Sequence, residues 1–183
     1  MDRLAIAADI VGQLYLSVPR PELRTALNDE QFLRDWPLED EHSAQAVQLL
    51  LEAEPDTEEE LKRDHLYLFT GIGAPLAQPY ESPYFSPDGL VMDTATAEVT
   101  EVYRQVGFST GTDTMPDDHI GFQLMCVGHM ARGHASANQI AAFVEQHLGR
   151  FADKVMAGVD ENARTAIYRA LPGLTRGVLA AAL

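Results

Sequence analysis

The chain has 183 residues, of which 46% are hydrophobic, and a formal net charge of −15. This length suits one domain, residues 1–183, with a sizeable core, and a second full domain is not expected. The negative charge repels phosphate backbones and anionic lipids, so nucleic acid and membrane surfaces are poor candidate partners, whereas a cationic partner would be attracted. No apolar run approaches the roughly 20 residues that a membrane helix needs.

The cysteine content and the N-terminal stretch bear on the cellular compartment. The single cysteine, Cys126, excludes an internal disulfide framework, which fits a reducing environment. Asp9 and Gln13 interrupt the apolar N-terminal segment, which is therefore typical of an amphipathic helix and not of a signal peptide. We expect a cytoplasmic protein.

Helical periodicity dominates the first half of the chain. A first amphipathic helix ends at Pro19 and Pro21, and its apolar positions are Leu4, Ala7, Val11, Leu14 and Val18. Thr57 and Glu60 form a capping box, which predicts the start of a helix that closes at Gly71. A later apolar stripe ends at Gly107 and comprises Val99, Val102, Tyr103 and Val106.

The second half of the chain is also predicted to be helical. Pro116 is placed to begin a long helix that runs to about Gly133, because proline suits the first helical turn. Ser136 and Gln139 form a second candidate capping box. The tail 160–183 is predicted to be helical with a break at Pro172, and nothing alternates with period two. The sequence therefore predicts an all-α protein.

Two connections stand out between these helices. The loop "PYESPYFSPDG" carries Tyr80, Tyr84 and Phe85, and a plain connection rarely exposes three aromatic rings. We predict that these rings wall a binding groove; the alternative is that they turn inward and fill a gap between helices. The Gly- and Thr-rich segment 109–116 is a candidate hinge, through which C-terminal helices could be exchanged in a dimer.

The segment "MPDDHIGFQLMCVGHM" contains the residues best suited to catalysis or metal binding. On a helix, His119 and Cys126 would lie about 10 Å apart along the axis. Zinc ligands sit only about 2.0–2.3 Å from the metal, so these two cannot share one zinc ion. Cys126 is therefore expected to be a buried apolar residue and His129 a hydrogen-bonded one. A metal site or an active centre using His119, Cys126 and His129 remains the alternative function, which metal analysis would detect.

Three stretches in order, "LYLFTG", "PYESPY" and "PDDH", together resemble the TorD/DmsD/NarJ family of redox enzyme maturation chaperones. The resemblance implies a compact bundle of about eight to ten helices, with no cofactor and no catalysis of its own. It also implies that the chain binds the twin-arginine signal peptide and the apo form of a molybdenum-cofactor oxidoreductase of the DMSO reductase superfamily. Export through the Tat machinery would be delayed until the cofactor is inserted.

The family motifs fall on specific residues of this chain. The resemblance places the first motif on Tyr80, Ser82 and Tyr84, and the Asp-His pair of the second on Asp118 and His119. Two positions depart from the family pattern, since Met115 and Gln123 stand where a Glu is often found. With the possible groove walls added, the predicted peptide-binding residues are Trp36, Tyr80, Ser82, Tyr84, Phe85, Asp118, His119 and Gln123.

The physical chemistry of such a leader agrees with this expectation. An exposed Arg–carboxylate pair contributes about 0.2–1 kcal/mol, whereas micromolar binding needs about −8 kcal/mol. Apolar burial must therefore supply most of the affinity, while carboxylates such as Asp118 orient the peptide. A neighbouring carboxylate is expected to stabilise charged His119, which either contacts the peptide or links the long helix to the aromatic loop.

Overall fold

The computed structural model describes residues 2–183, and every regular element within them is helical. The all-α prediction is therefore confirmed. The helices are α1 (Asp2–Leu16), α2 (Pro21–Ala26), α3 (Glu30–Arg34), α4 (Glu41–Glu52), α5 (Glu58–His65), α6 (Thr94–Val106), α7 (Ile120–His129), α8 (Ala137–Phe143), α9 (Gly149–Asn162) and α10 (Ala166–Ala182). The π-helical turns Leu66–Thr70, Met130–His134 and Val144–Leu148 continue α5, α7 and α8. Over residues 2–183, none of the helices has the length and apolar character required to cross a bilayer.

The local start and stop signals act as the sequence predicts. The capping box of Thr57 and Glu60 is present at the start of α5, and that of Ser136 and Gln139 at the start of α8. Gly71 ends the π-helical turn after α5 with φ 75°, and Gly107 ends α6 in the left-handed conformation. Each signal acts through hydrogen bonds with backbone groups only a few residues away, so the sequence alone is enough to predict it.

The predicted start of the long helix at Pro116 is wrong. Helix α7 begins at Ile120, and the residues from Pro116 to Asp118 form a turn. The reason is tertiary, because the backbone carbonyl of Asp118 accepts a hydrogen bond from Glu81 N and the amide of Ile120 donates to Pro79 O. These bonds to the aromatic loop hold His119 in an extended conformation, with φ −65° and ψ 130°, so the helix cannot begin before Ile120.

The predicted break at Pro172 is also wrong, since α10 runs without interruption through it. Pro172 is buried, and the residue after it, Gly173, packs against α4. At Gly173 the approach is so close that an added Cβ would lie 2.9 Å from the Ala46 Cβ and 3.0 Å from His42 O. Packing at this interface offsets the backbone hydrogen bond that proline removes.

The centre of the core is the contact between α1 and α7. A Cβ added to Gly12 or to Gly121 would lie 2.6 Å from the carbonyl oxygen of the other residue, so the two backbones are nearly in contact. Because α7 is held so firmly against α1, the residues just before it are carried into the interior. Those residues are Asp118 and His119 of the second motif.

Candidate functional site

The two sequence motifs lie side by side. Tyr80 and His119 form an isolated antiparallel bridge, flanked by the hydrogen bonds from Glu81 N to Asp118 O (3.1 Å) and from Ile120 N to Pro79 O (2.8 Å). The Tyr80 and His119 rings also pack edge to face, with centroids 4.9 Å apart. The aromatic loop and the residues before α7 thus form one structural unit.

His119 caps α7. Its Nδ1 accepts a hydrogen bond from Gly121 N (3.0 Å), which leaves the proton of the neutral ring on Nε2. Burial, followed by the charge of His65, lowers the pKa of His119 to about 3. The expectation that a neighbouring carboxylate stabilises the charged form is therefore wrong, because the cost of desolvating the ring dominates.

Asp118 and Ser82 fasten the loop from inside. The Asp118 side chain is fully buried, and its Oδ2 accepts from Ser82 N (2.8 Å). The Ser82 hydroxyl is 2.9 Å from that of Thr96 and accepts from Asp93 N (3.3 Å), which ties the loop to the start of α6. In this conformation neither side chain reaches a peptide at the surface. Their geometry is that of residues that position the loop.

Glu81 is the residue that the sequence reasoning missed. Its side chain is fully buried, and Oε2 accepts from Gln123 Nε2 (3.0 Å) and lies 3.3 Å from His147 Nδ1. Its other oxygen, Oε1, lies 3.4 Å from Arg150 Nη1. Its signal in the sequence is an acidic residue placed between the two key residues of the first motif, Tyr80 and Ser82.

Gln123 is fully buried beside this carboxylate, which explains its departure from the family pattern. The amide nitrogen donates both to Glu81 Oε2 and to the backbone oxygen of Asp118 (3.1 Å). A glutamate at position 123 would instead face the carboxylate of Glu81 at hydrogen-bond distance, and buried like charges repel. The amide therefore fits this chain because Glu81 needs a donor there.

A cavity of about 390 Å³ opens where the two motifs meet. Tyr80 and His119 line it together with two further polar rings, Tyr15 and His65, and burial lowers the pKa of His65. No side chain with a formal charge at neutral pH belongs to its lining, so the cavity is essentially apolar. The lining residues are Tyr15, Leu16, His65, Phe69, Thr70, Pro75, Gln78, Tyr80, Val91, Met115 and His119.

The aromatic residues of the loop do not wall one common groove. Tyr84 packs its ring against Phe151 (5.8 Å), and its hydroxyl donates to Gln78 O (2.9 Å). Phe85 is 41% exposed and lies beneath Arg150 on α9. Tyr80 lies before the 3₁₀ turn Ser82–Tyr84 and lines the cavity, whereas Tyr84 and Phe85 both contact residues of α9.

Trp36 is buried in the hydrophobic core, 5% exposed, and does not line the cavity. Its position is that of a packing residue. The interpretation of Trp36 as a further wall of the peptide site therefore has no support in this conformation.

The residues considered for metal binding, His119, Cys126 and His129, do not form a cluster of metal ligands. Within residues 2–183, no group of three or more His, Cys, Asp or Glu side chains is placed to hold a metal ion. Cys126 is fully buried, and burial raises the pKa of its thiol to about 12. His129 lies 2.9 Å from Val106 O through Nε2 and stacks on His134.

A second cleft, of about 570 Å³, contains three carboxylates that serve as helix caps. Asp64 accepts from the backbone amides of Arg164 and Thr165, and Asp56 from the first amides of α10. Glu60 closes the capping box of α5. Because these acidic groups already hold backbone amides, we assign them a structural role.

The chain is an all-α protein whose two loop motifs meet at an apolar cavity. The model of the nitrate reductase delta subunit family matches residues 35–157. The chain belongs to that family, and thus to the TorD/DmsD/NarJ redox enzyme maturation chaperones. The resemblance of its motifs is confirmed.

Other comparisons bear on the fold. The structure of a protein from Archaeoglobus fulgidus, described as a redox enzyme maturation protein, superposes with a TM-score of 0.57 at 17% sequence identity. The match covers 93% of both chains and supports the same fold. A comparison with curated proteins gives no significant match.

Proposed function

We propose that this chain is a cytoplasmic maturation chaperone for a molybdenum-cofactor oxidoreductase of the DMSO reductase superfamily. It binds the twin-arginine signal peptide and the apo form of the enzyme, aids cofactor insertion and delays export by the Tat machinery. The observation that carries the proposal is the uncharged cavity at the junction of Tyr80 and His119.

The cavity suits the apolar stretch that follows the two arginines of such a leader. Its lining combines aromatic and aliphatic side chains with a few neutral polar groups, a composition typical of ligand sites. Each 100 Å² of apolar surface buried there would contribute about 2.5 kcal/mol towards the 8 kcal/mol or so that micromolar binding needs, from which the cost of association is subtracted. The net charge of −15 draws the cationic end of the peptide towards the chaperone.

The geometry supports binding and no reaction. His119 uses one ring nitrogen to cap α7, and burial keeps its pKa far below neutrality, so it is a poor general base near pH 7. The raised pKa of Cys126 keeps its thiol protonated and weakly nucleophilic. No observation favours the alternative of a metalloprotein or enzyme built on these residues.

The segment 109–116 joins α6 to α7 without helical structure and remains our candidate hinge. We propose that the chaperone is a monomer that can also form a dimer by exchanging the helices after this segment. Light scattering of the separated species tests this assignment: we expect the masses of one chain and of two chains, and a single species with the mass of one chain at every concentration would contradict the dimer.

The experiment for the proposed function is calorimetric titration with a twin-arginine leader peptide. The matched peptides are a Lys-Lys version, which lacks bidentate guanidinium groups, and a version whose apolar stretch is replaced by serine. We expect the arginine peptide to bind at micromolar concentration, the lysine peptide more weakly, and the serine peptide weakest of the three. Equal binding of the serine version would refute the role of the apolar cavity.

A further inference from the structure

The carboxylate of Glu81 and the ring of Phe85 hold an arginine of the chain itself. The guanidinium carbon of Arg150 lies 4.0 Å from the centroid of the Phe85 ring, and Nη1 lies 3.4 Å from Glu81 Oε1. The carboxylate is fully buried, whereas the Arg150 side chain is 39% exposed. A cation at the surface therefore bridges an exposed aromatic face and a buried negative charge.

A second cation lies one turn further along α9. Lys154 Nζ lies 5.2 Å from the centroid of the Tyr84 ring and 5.7 Å from that of Phe85. The chain has 13 basic and 28 acidic residues, so a pair of cations on the rings of one loop is not expected from composition alone. Arg150 and Lys154 thus place two positive charges on the aromatic motif.

Carboxylate and aromatic face are the two components with which proteins bind a guanidinium group. Arg150 uses them incompletely, because its contact with Glu81 is longer than an ordinary N–H···O hydrogen bond and involves only one of its terminal nitrogens. Its partial exposure leaves it free to swing outward. An arginine from another molecule could therefore make the same contacts in its place.

The groove beside Arg150 carries acidic side chains that would attract a cationic ligand. A groove of about 760 Å³ between α6 and the start of α9 is lined by Arg150 and His147 on one side. On the α6 side it presents the exposed carboxylates of Glu98 and Glu101. An incoming guanidinium would thus approach Arg150 along a wall that carries two carboxylates, of which Glu101 also pairs with Arg104 (2.6 Å).

We propose that Glu81 and Phe85 form an arginine-binding site, which Arg150 fills in the resting chaperone and which an arginine of the client's leader takes over on binding. That the incoming arginine belongs to the client's leader rests on the proposed function, whereas the existence of the site is inferred from the contacts of Arg150. The site is separate from the apolar cavity, whose lining contains neither residue. The leader's arginine and its apolar stretch would therefore be bound at different places.

An internal occupant lowers the apparent affinity by the fraction of molecules in which the site is vacant. Removing the internal occupant, Arg150, should therefore tighten the binding of the leader peptide. Arg150 is held by one cation–π contact, a 3.4 Å pair with the buried Glu81 carboxylate and a 3.3 Å bond to Gln146 O. We therefore expect the Arg150→Ala variant to bind the twin-arginine peptide about three- to tenfold more tightly.

The matched control is Arg176→Ala. Arg176 pairs with Asp160 at a similar side-chain exposure of 36%, and its loss changes the net charge by the same amount. Its variant should leave peptide affinity nearly unchanged. An equal gain in the two variants would mean that net charge alone is responsible and would overturn the proposal.

A second measurement does not depend on any leader. Millimolar methylguanidinium should raise the melting temperature of Arg150→Ala above that of the same protein in methylammonium, and it should not do so for the unsubstituted chain. The double variant with Phe85→Ala, which removes an exposed ring, should lose this difference together with the gain in peptide affinity. If methylguanidinium and methylammonium act alike on Arg150→Ala, the site does not exist.

The two proposals can fail separately. If Arg150→Ala responds to methylguanidinium but no variant binds the leader peptide, the arginine site stands and the proposed function falls. If the unsubstituted chain binds the leader and Arg150→Ala neither gains affinity nor responds to methylguanidinium, the proposed function stands and the arginine site falls.

Discussion

Tyr80 and His119 meet twice, through an antiparallel backbone bridge and through rings whose centroids lie 4.9 Å apart. The first belongs to the aromatic loop and the second is the cap of α7, so this pair joins the two motifs of the family into one site. The same pair lines the apolar cavity. Substitution of either residue should therefore change both the stability of the fold and the affinity for the peptide.

The buried imidazole of His119 makes stability depend on pH. Burial lowers the pKa of His119 to about 3, while in the unfolded chain it is near 6.5. The unfolded state therefore takes up the proton first as pH falls, so the contribution to stability is complete above about pH 6.5 and is lost towards pH 3. Each pH unit in that window costs about 1.4 kcal/mol.

The test is the variant His119→Asn, because asparagine can still cap a helix but does not titrate. Between about pH 7 and pH 4, the unsubstituted chain should lose about 3 kcal/mol more unfolding free energy than the variant. Urea denaturation at several pH values measures the difference. Parallel curves for the two proteins would contradict the neutral, buried state of His119.

Loss of the Asp118 carboxylate should destabilise the loop. In Asp118→Ala the amide of Ser82 would be left without its acceptor, and a buried unsatisfied group costs about 1–3 kcal/mol. Asp113→Ala, at an exposed position nearby, is the control and should change stability by less than about 0.5 kcal/mol. Similar unfolding free energies for the two variants would show that Asp118 does not fasten the loop.

The side chains of the apolar cavity should determine peptide affinity. Val91 lines the cavity and is 40% exposed, so Val91→Ala should remain folded yet weaken leader binding about three- to tenfold through lost apolar contact. Ile6→Ala removes an exposed aliphatic side chain on α1 that does not line the cavity and should bind normally. Fluorescence anisotropy with a labelled leader compares them, and equal affinities would place the apolar stretch elsewhere.

The contact between α1 and α7 should tolerate no side chain. Gly121→Ala would place its Cβ 2.6 Å from Gly12 O and from Leu16 Cγ, and overpacking of this kind typically costs about 1–3 kcal/mol. Once the helices have moved apart, adding Gly12→Ala should cost less than it does alone. A double-mutant cycle by urea denaturation checks this, and simple additivity would argue against a shared contact.

The elements that sequence predicts correctly are those set by nearby residues. The capping boxes at Thr57 and Ser136 and the glycine stops at Gly71 and Gly107 act over three or four positions. The apolar periodicity of the helices is local in the same sense. These features follow from the sequence because the backbone groups that they satisfy lie within the same turn.

The candidate site was predictable only in part. Its motifs could be recognised in the sequence, and their two key residues, Tyr80 and His119, do meet. The place of each side chain could not be predicted. Burial of Asp118 and the turn of Tyr84 and Phe85 towards α9 follow from contacts with segments more than thirty residues away.

Local sequence patterns were enough to predict an all-α chain, its strongly acidic character and the helix ends marked by capping boxes and glycine stops. Contacts between distant segments set three further features: α7 starts at Ile120, α10 continues through Pro172, and Glu81 lies buried between Gln123 and Arg150. These features differ from the predicted ones in the sequence separation of the residues that make the contacts. Hydrogen bonds and close packing between distant segments outweigh local helix preferences of up to about 1 kcal/mol for most residues and about 3 kcal/mol for proline. These contacts between distant segments form only when the chain folds.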